Sequence, residues 1–142
     1  MDTGHRQQVL ARLKEMRVGT LMETLDIRYT DVGEDWLTAT MPVGPRVHQP
    51  MGILHGGATA ALAESVGSAA SALRLDLERE VGVGLELSMN HLRSVREGML
   101  TARAVLIHGG RSTHLWNIGV TDEYGRQIAW GRLIVMVRPR AN

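Results

Sequence analysis

Apolar and polar residues alternate along much of this chain, and where they do not, they fall at helical spacing. Val9, Leu10, Leu13 and Met16 share one face of residues 5–18, which predicts an amphipathic helix. Asp2 or Thr3 is placed to cap it and Gly19 to end it. Two strand-like runs follow, residues 25–31 and 36–41, joined by Val32-Gly33-Glu34-Asp35 as a hairpin loop. Residues 42–51 contain Gly44, Pro45 and Pro50 and read as loop. Residues 55 to about 75 read as a second helix, opened by Gly56-Gly57. Four more strands are expected at 81–91, 99–108, 112–121 and 127–137, the last two joined by a turn at Asp122-Glu123-Tyr124-Gly125. In the first of them Val81, Val83, Leu85, Leu87 and Met89 alternate with Gly82, Gly84, Glu86, Ser88 and Asn90, a period of two. The order αββαββββ, with antiparallel strands across short turns, predicts an α+β architecture. One long helix covers one face of an antiparallel sheet, in a single domain over residues 1–142 whose first twenty residues are a helical lead-in.

The central helix departs from the usual amphipathic pattern. Leu62, Val66, Ala69 and Leu73, with Thr59 and Ala70 beside them, form a side that can face the sheet. The opposite side carries Ala60, Ala61, Glu64, Gly67, Ser68 and Ser71, where a solvated helix would carry long charged side chains. Small residues admit a substrate or another subunit close to the backbone. A lone Glu64 among them is then partly desolvated, which suits a nucleophile or base, although a surface glutamate on an alanine-rich helix has the same pattern. At the start of this helix the first backbone N–H groups lack intrahelical partners, and Gly56-Gly57 leaves them open to an oxygen that gains negative charge. Glu64 lies roughly 12 Å further along the axis. One cleft can use both only if the substrate lies along the helix or if two subunits share the site.

Composition removes several alternatives. A net charge of +1 gives no footprint for nucleic acid, and five aromatics without a phenylalanine offer no stacking platform. No apolar run is long enough to span a bilayer, and the polar start of the chain lacks a signal-peptide core, so a cytoplasmic protein without membrane contact is expected. There is no cysteine, and no pair of histidines sits at ligand spacing with a carboxylate on one element, so neither thiolate chemistry nor a metal site is expected. Fifteen of the sixteen cations are arginine, a residue suited to bidentate phosphate contacts, though a coding bias gives the same count.

The stretch His48-Gln49-Pro50-Met51-Gly52-Ile53-Leu54-His55-Gly56-Gly57, followed by Ala63-Glu64-Ser65-Val66-Gly67-Ser68, resembles the hot-dog-fold acyl-CoA thioesterases. Within them it is similar to the branch of the phenylacetate-degradation, Arthrobacter-type 4-hydroxybenzoyl-CoA and 1,4-dihydroxy-2-naphthoyl-CoA thioesterases. The likeness continues at Gly84-Leu85-Glu86-Leu87-Ser88-Met89-Asn90-His91-Leu92-Arg93-Ser94 and at His108-Gly109-Gly110-Arg111-Ser112-Thr113. The resemblance implies a long helix wrapped by the sheet, and subunits that pair their sheets and share active sites in a homo-oligomer, a dimer of dimers. It implies hydrolysis of an acyl-CoA, with 1,4-dihydroxy-2-naphthoyl-CoA as the most specific candidate, and no cofactor beyond the CoA of the substrate.

By the same resemblance Glu64 is the catalytic carboxylate, as nucleophile or as base toward water. Gly56 supplies the N–H that polarises the carbonyl, Gln49 holds the thioester or water from across the dimer, His55 stands near the departing thiolate, and Ser68 orients water. Gly84, His91 and the segments His91-Leu92-Arg93-Ser94 and His108-Gly109-Gly110-Arg111-Ser112-Thr113 contact acyl group and CoA, with Arg93 and Arg111 as candidates for its phosphates. Simpler roles stand beside these: His55 as a helix cap, Ser68 as a small interface residue, His91 as a core hydrogen-bonding group, Arg93 and Arg111 as solvated charges. Two other functions fit the fold: a non-catalytic acyl-CoA-binding module, against which the intact Gln49, Gly56 and Glu64 set argues, and hydratase chemistry, which would want an Asp and His pair on the helix.

Overall fold

Asp2 is the residue that starts the first helix: its Oδ1 accepts from His5 N at 2.9 Å, and α1 runs Thr3–Met16. In the computed structural model, which describes residues 1–141, α1 is followed by a single turn of helix, α2 (Leu21–Thr24), ahead of the strand expected from residue 25. The first strand, β1 (Arg28–Val32), therefore begins three residues late. Leu25 caps α2, and Asp26 takes a positive φ of 53° to turn the chain into the strand. Arg17 donates to the Ile27 carbonyl and to Asp26 Oδ1, both at 3.0 Å, which ties the end of α1 to the start of β1.

The second strand, β2 (Trp36–Val43), runs on through Pro42. Its pairing with β1 stops at Thr40, so a proline beyond that point removes no ladder bond on that side. A short 3-10 turn at Pro45–Val47 leads to the central helix α3 (Gly56–Ala72), three residues shorter at its end than its pattern predicts. The remaining strands are β3 (Glu80–His91), β4 (Gly98–Gly109), β5 (Thr113–Thr121) and β6 (Gln127–Pro139).

All six strands form one antiparallel sheet in the order β1-β2-β4-β5-β6-β3, so β3 crosses over to pair with β6 and lies at the edge. The α+β hot-dog architecture read from the sequence is the one observed: the sheet curves around α3. The core fills the space between them, with Leu62, Val66, Trp116, Ile118 and Leu133 all at most 1 % exposed. No helix among the described residues is long and apolar enough to cross a membrane.

The face of α3 that meets the sheet differs from the one read off the sequence. Thr59, Leu62, Ala63, Val66, Gly67, Ala70 and Ser71 are buried, whereas Leu73 is 40 % exposed. Gly67 and Ser71 are therefore core residues and not part of an open face. A Cβ at Gly67 would stand 2.6 Å from Leu133 Cδ2, so the sheet's own large side chains take up the volume that glycine leaves. Ser71 Oγ accepts from the buried Trp116 Nε1 at 2.6 Å, an anchor between α3 and β5.

A bulge at Leu85 also breaks the alternation along β3: Gly84 pairs with Val135 and Glu86 with Ile134. Before it Gly82 and Gly84 face α3, and Val81, Val83 and Leu85 point away and are exposed. After it Leu87 and Met89 face the core. The five apolar residues thus lie on two faces.

Candidate active site

The helix α3 holds residues expected at the site at two separate stations, one at its start and one two turns on. At its start, His55 is the N-cap, its Nδ1 accepting from Gly57 N at 2.8 Å. The capping role is real, and it fixes the ring: with Nδ1 an acceptor, a neutral His55 carries its proton on Nε2, which remains free to donate. The Gly56 N–H, first of the helix, has no intrahelical acceptor. Gly56 lies close against the His91 ring: a Cβ there would stand 3.1 Å from His91 Nε2.

The loop before the helix is tightly built. Gln49 N donates to Ile53 O at 2.8 Å, Gly52 N to Gln49 O at 2.9 Å, and Gly52 takes φ 73°, which glycine reaches without strain. Gln49 Oε1 accepts from Met51 N, leaving its amide NH2 to donate outward. His48 Nε2 to the Arg96 carbonyl, at 2.7 Å, closes the base of the loop. Gln49, Gly56, His91, Leu92, Arg93 and Ser94 then line one cleft of about 390 Å³. His55 opens on the other side of the helix start, among Leu25, Arg46 and Ala58.

Two turns on, Glu64 is half-buried, and Ser68 Oγ donates to its Oε1 at 3.3 Å, one helical turn away. Gly84 lies directly beneath this carboxylate: any Cβ there would collide with Glu64 Oε1. Gly84 therefore makes room for Glu64. Glu64 and Ser68 line a larger groove, about 870 Å³, between α1 and α3. Its wall includes Tyr29, a residue the sequence reading passed over. Its hydroxyl donates to the Ser65 carbonyl at 3.3 Å, and burial pushes its pKa up to about 12. Its place in a strand, with the alternation turning it inward, is the signal that could have found it.

The segment from His108 to Thr113 forms the β4–β5 hairpin, closed by Gly110 N donating to Thr113 O at 2.9 Å, with the Ser112 carbonyl accepting from Val137 N. It sits beyond the end of α3: a Cβ on Gly109 would meet the Arg74 guanidinium at 3.3 Å. Arg93 and Arg111 thus stand near opposite ends of a helix roughly 26 Å long, and one chain does not bring them together. Among the described residues no three His, Asp or Glu side chains are grouped to hold a metal ion.

Within one chain, then, the carboxylate and the helix-start amide open into different spaces. Residues 51–129 match the profile of the thioesterase superfamily. The chain is 45% identical over 132 residues to the proofreading thioesterase EntH of Cronobacter turicensis, covering 93% of this chain and 96% of that one. It is 43% identical over 132 residues to the 1,4-dihydroxy-2-naphthoyl-CoA hydrolase of Escherichia coli, with the same coverage of each chain. A crystal structure of a Pseudomonas aeruginosa thioesterase, solved as a glutamine-to-alanine variant, superposes with a TM-score of 0.90 at 43% identity, over 92% of this chain and 94% of that one.

Proposed function

This chain belongs to the thioesterase superfamily and is a thioester hydrolase, and on that premise we propose that its substrate is an acyl-CoA with an aromatic or comparably bulky acyl group, hydrolysed by Glu64. The observation that carries the reading is the setting of Glu64: a half-buried carboxylate, held at one oxygen by Ser68, in the wall of the largest apolar groove described above. The second oxygen is left for chemistry. It either attacks the carbonyl carbon, expelling the CoA thiolate and forming a mixed anhydride that water opens, or takes a proton from the water that attacks. Likeness to the Escherichia coli hydrolase makes 1,4-dihydroxy-2-naphthoyl-CoA the specific candidate.

The Gly56 N–H is the oxyanion donor in this reading, and it supports a site completed by a second copy. Glu64 and Gly56 of one chain are too far apart to serve one carbonyl. The exposed edge of β3 offers the means to join two copies, because its outer ladder groups are unpaired and Val81, Val83 and Leu85 are exposed beside them. Antiparallel pairing of two such edges about their middle reverses one strand. The second copy's His91 end, with Gly56 and Gln49 against it, then falls near the Gly82–Gly84 stretch that lies against Glu64. A homo-oligomer built on this pair, doubled to a tetramer, is the expected assembly.

The test is release of free CoA from a panel of aryl and aliphatic acyl-CoAs. Glu64→Gln is expected to lose at least about a hundredfold in turnover with its melting temperature kept. Near-parental hydrolysis by a folded Glu64→Gln protein would remove Glu64 from the mechanism.

A further inference from the structure

The loop that carries Gln49 is tied at three points to the connection between β3 and β4. Leu54 N donates to the Val95 carbonyl at 2.7 Å, His48 Nε2 to the Arg96 carbonyl at 2.7 Å, and Arg96 Nη1 to the Gly52 carbonyl at 3.3 Å. Val95 is buried in the core, so the connection is a fixed reference for the loop. The tip of the loop has little else to hold it. Its other hydrogen bonds among the described residues stay within the loop: Gln49 N to Ile53 O, Gly52 N to Gln49 O and Met51 N to Gln49 Oε1. Met51 is 75 % exposed and anchors nothing. Because the Met51 N–H aims the Gln49 amide, whatever fixes Gly52 and Met51 also sets where the Gln49 NH2 points. Gln49 and Gly56 border one cleft, and so does Arg93 of the same connection, whereas Arg96 turns away to the loop.

Resting on the reaction proposed above, we propose that Arg96 is a positioning residue: its guanidinium, with His48 as the second half of a brace, holds the loop tip so that the Gln49 amide meets the thioester beside the Gly56 N–H. Arg96 touches neither the substrate nor the reacting atoms in this arrangement. A group misplaced by about 1 Å can cost on the order of a hundredfold in rate, so one hydrogen bond that fixes a loop tip is felt in turnover. The bond is present with and without CoA, so its loss is felt in kcat more than in KM.

The experiment measures steady-state kinetics on the acyl-CoA that the parent turns over fastest, and hydrogen exchange over residues 48–54, in the parent, Arg96→Met, Arg96→Lys and His48→Leu. Arg96→Met keeps the aliphatic stem at an exposed position and removes the donor. Its kcat should fall about tenfold with KM within about twofold, and exchange over 48–54 should quicken. Arg96→Lys keeps one donor and should recover most of kcat. His48→Leu should lower kcat in the same way, an independent test should Arg96→Met not fold. A raised KM with parental kcat in Arg96→Met would make Arg96 a CoA contact and overturn the proposal. Parental kcat in His48→Leu, or a loss that Arg96→Lys does not recover, would overturn it as well. Turnover kept by Glu64→Gln would overturn the reaction instead, while the exchange data would still report on the brace.

Discussion

His114 is a buried histidine outside the proposed chemistry: it is 4 % exposed, its Nδ1 has no partner, and it lies in β5 between Gly109 and Val135. Burial, with Arg74 and His108 adding to it against the opposing pull of Glu80, holds its pKa below the usual imidazole range. The folded protein thus binds a proton less readily than the unfolded chain, so stability is full above the unfolded value of about 6.5 and is lost as pH falls below it. The melting temperature should fall as the pH is lowered from about 6.5, and His114→Leu should flatten that fall; a parallel fall in the variant would assign the loss elsewhere. Arg93 borders the Gln49–Gly56 cleft, so Arg93→Ala is expected to raise KM for CoA esters and leave kcat within a few-fold, read from steady-state kinetics. At this scale the sequence was readable where partners are close along the chain. Glu64 and Ser68 meet because they are four apart on a helix, and Gln49 and Gly56 because one tight loop links them. It could not be read that His55 and Gly56, adjacent residues, open to opposite sides of the helix start.

Among the elements, α3 shows how a helix can be located well and phased wrongly. A wheel weighted by side-chain hydrophobicity turns Leu73 inward and Gly67 and Ser71 outward. The sheet reverses this, because Leu133 and Ile118 project far enough to need a glycine opposite them, and Trp116 brings an N–H that needs an oxygen. Ser71→Ala leaves that indole donor buried without a partner and should cost about 1–3 kcal/mol, seen as an earlier denaturation midpoint. Ser71→Thr, which keeps the oxygen, tests whether the hydrogen bond or the volume matters. A midpoint unchanged in Ser71→Ala would mean the indole finds another acceptor. Strand identities were legible from period-two alternation, whereas the order β1-β2-β4-β5-β6-β3 was not, because partner choice between distant strands leaves no mark in local spacing.

At the scale of the whole molecule, the proposed reaction requires two copies to bring the Glu64 and Gly56 stations together. The unpaired outer edge of β3 is the surface on which assembly and activity should fall together. Placing lysine at both Val81 and Val83 puts charges beside that edge, which opposes strand-to-strand pairing. Light scattering should then show a smaller particle than the parent, with turnover reduced in step. A fully active monomer would show that one chain completes the site alone.

The bulge at Leu85 has a consequence for which changes of length β3 can accept. Inward-facing positions are even-numbered before it and odd-numbered after it, so Leu85 is the residue that reconciles the two halves. Removing Leu85 would leave Gly84 facing α3, Glu86 facing out and Leu87 facing the core, a regular strand with every other side chain on its present side. Removing Val83 instead would carry Val81 to the inward position of Gly82, against Leu75 and Val135. The Leu85 deletion is expected to melt close to the parent and the Val83 deletion far below it. A strand that reads as one repeating pattern therefore holds a single slot where the chain can be shortened without turning valine toward the helix.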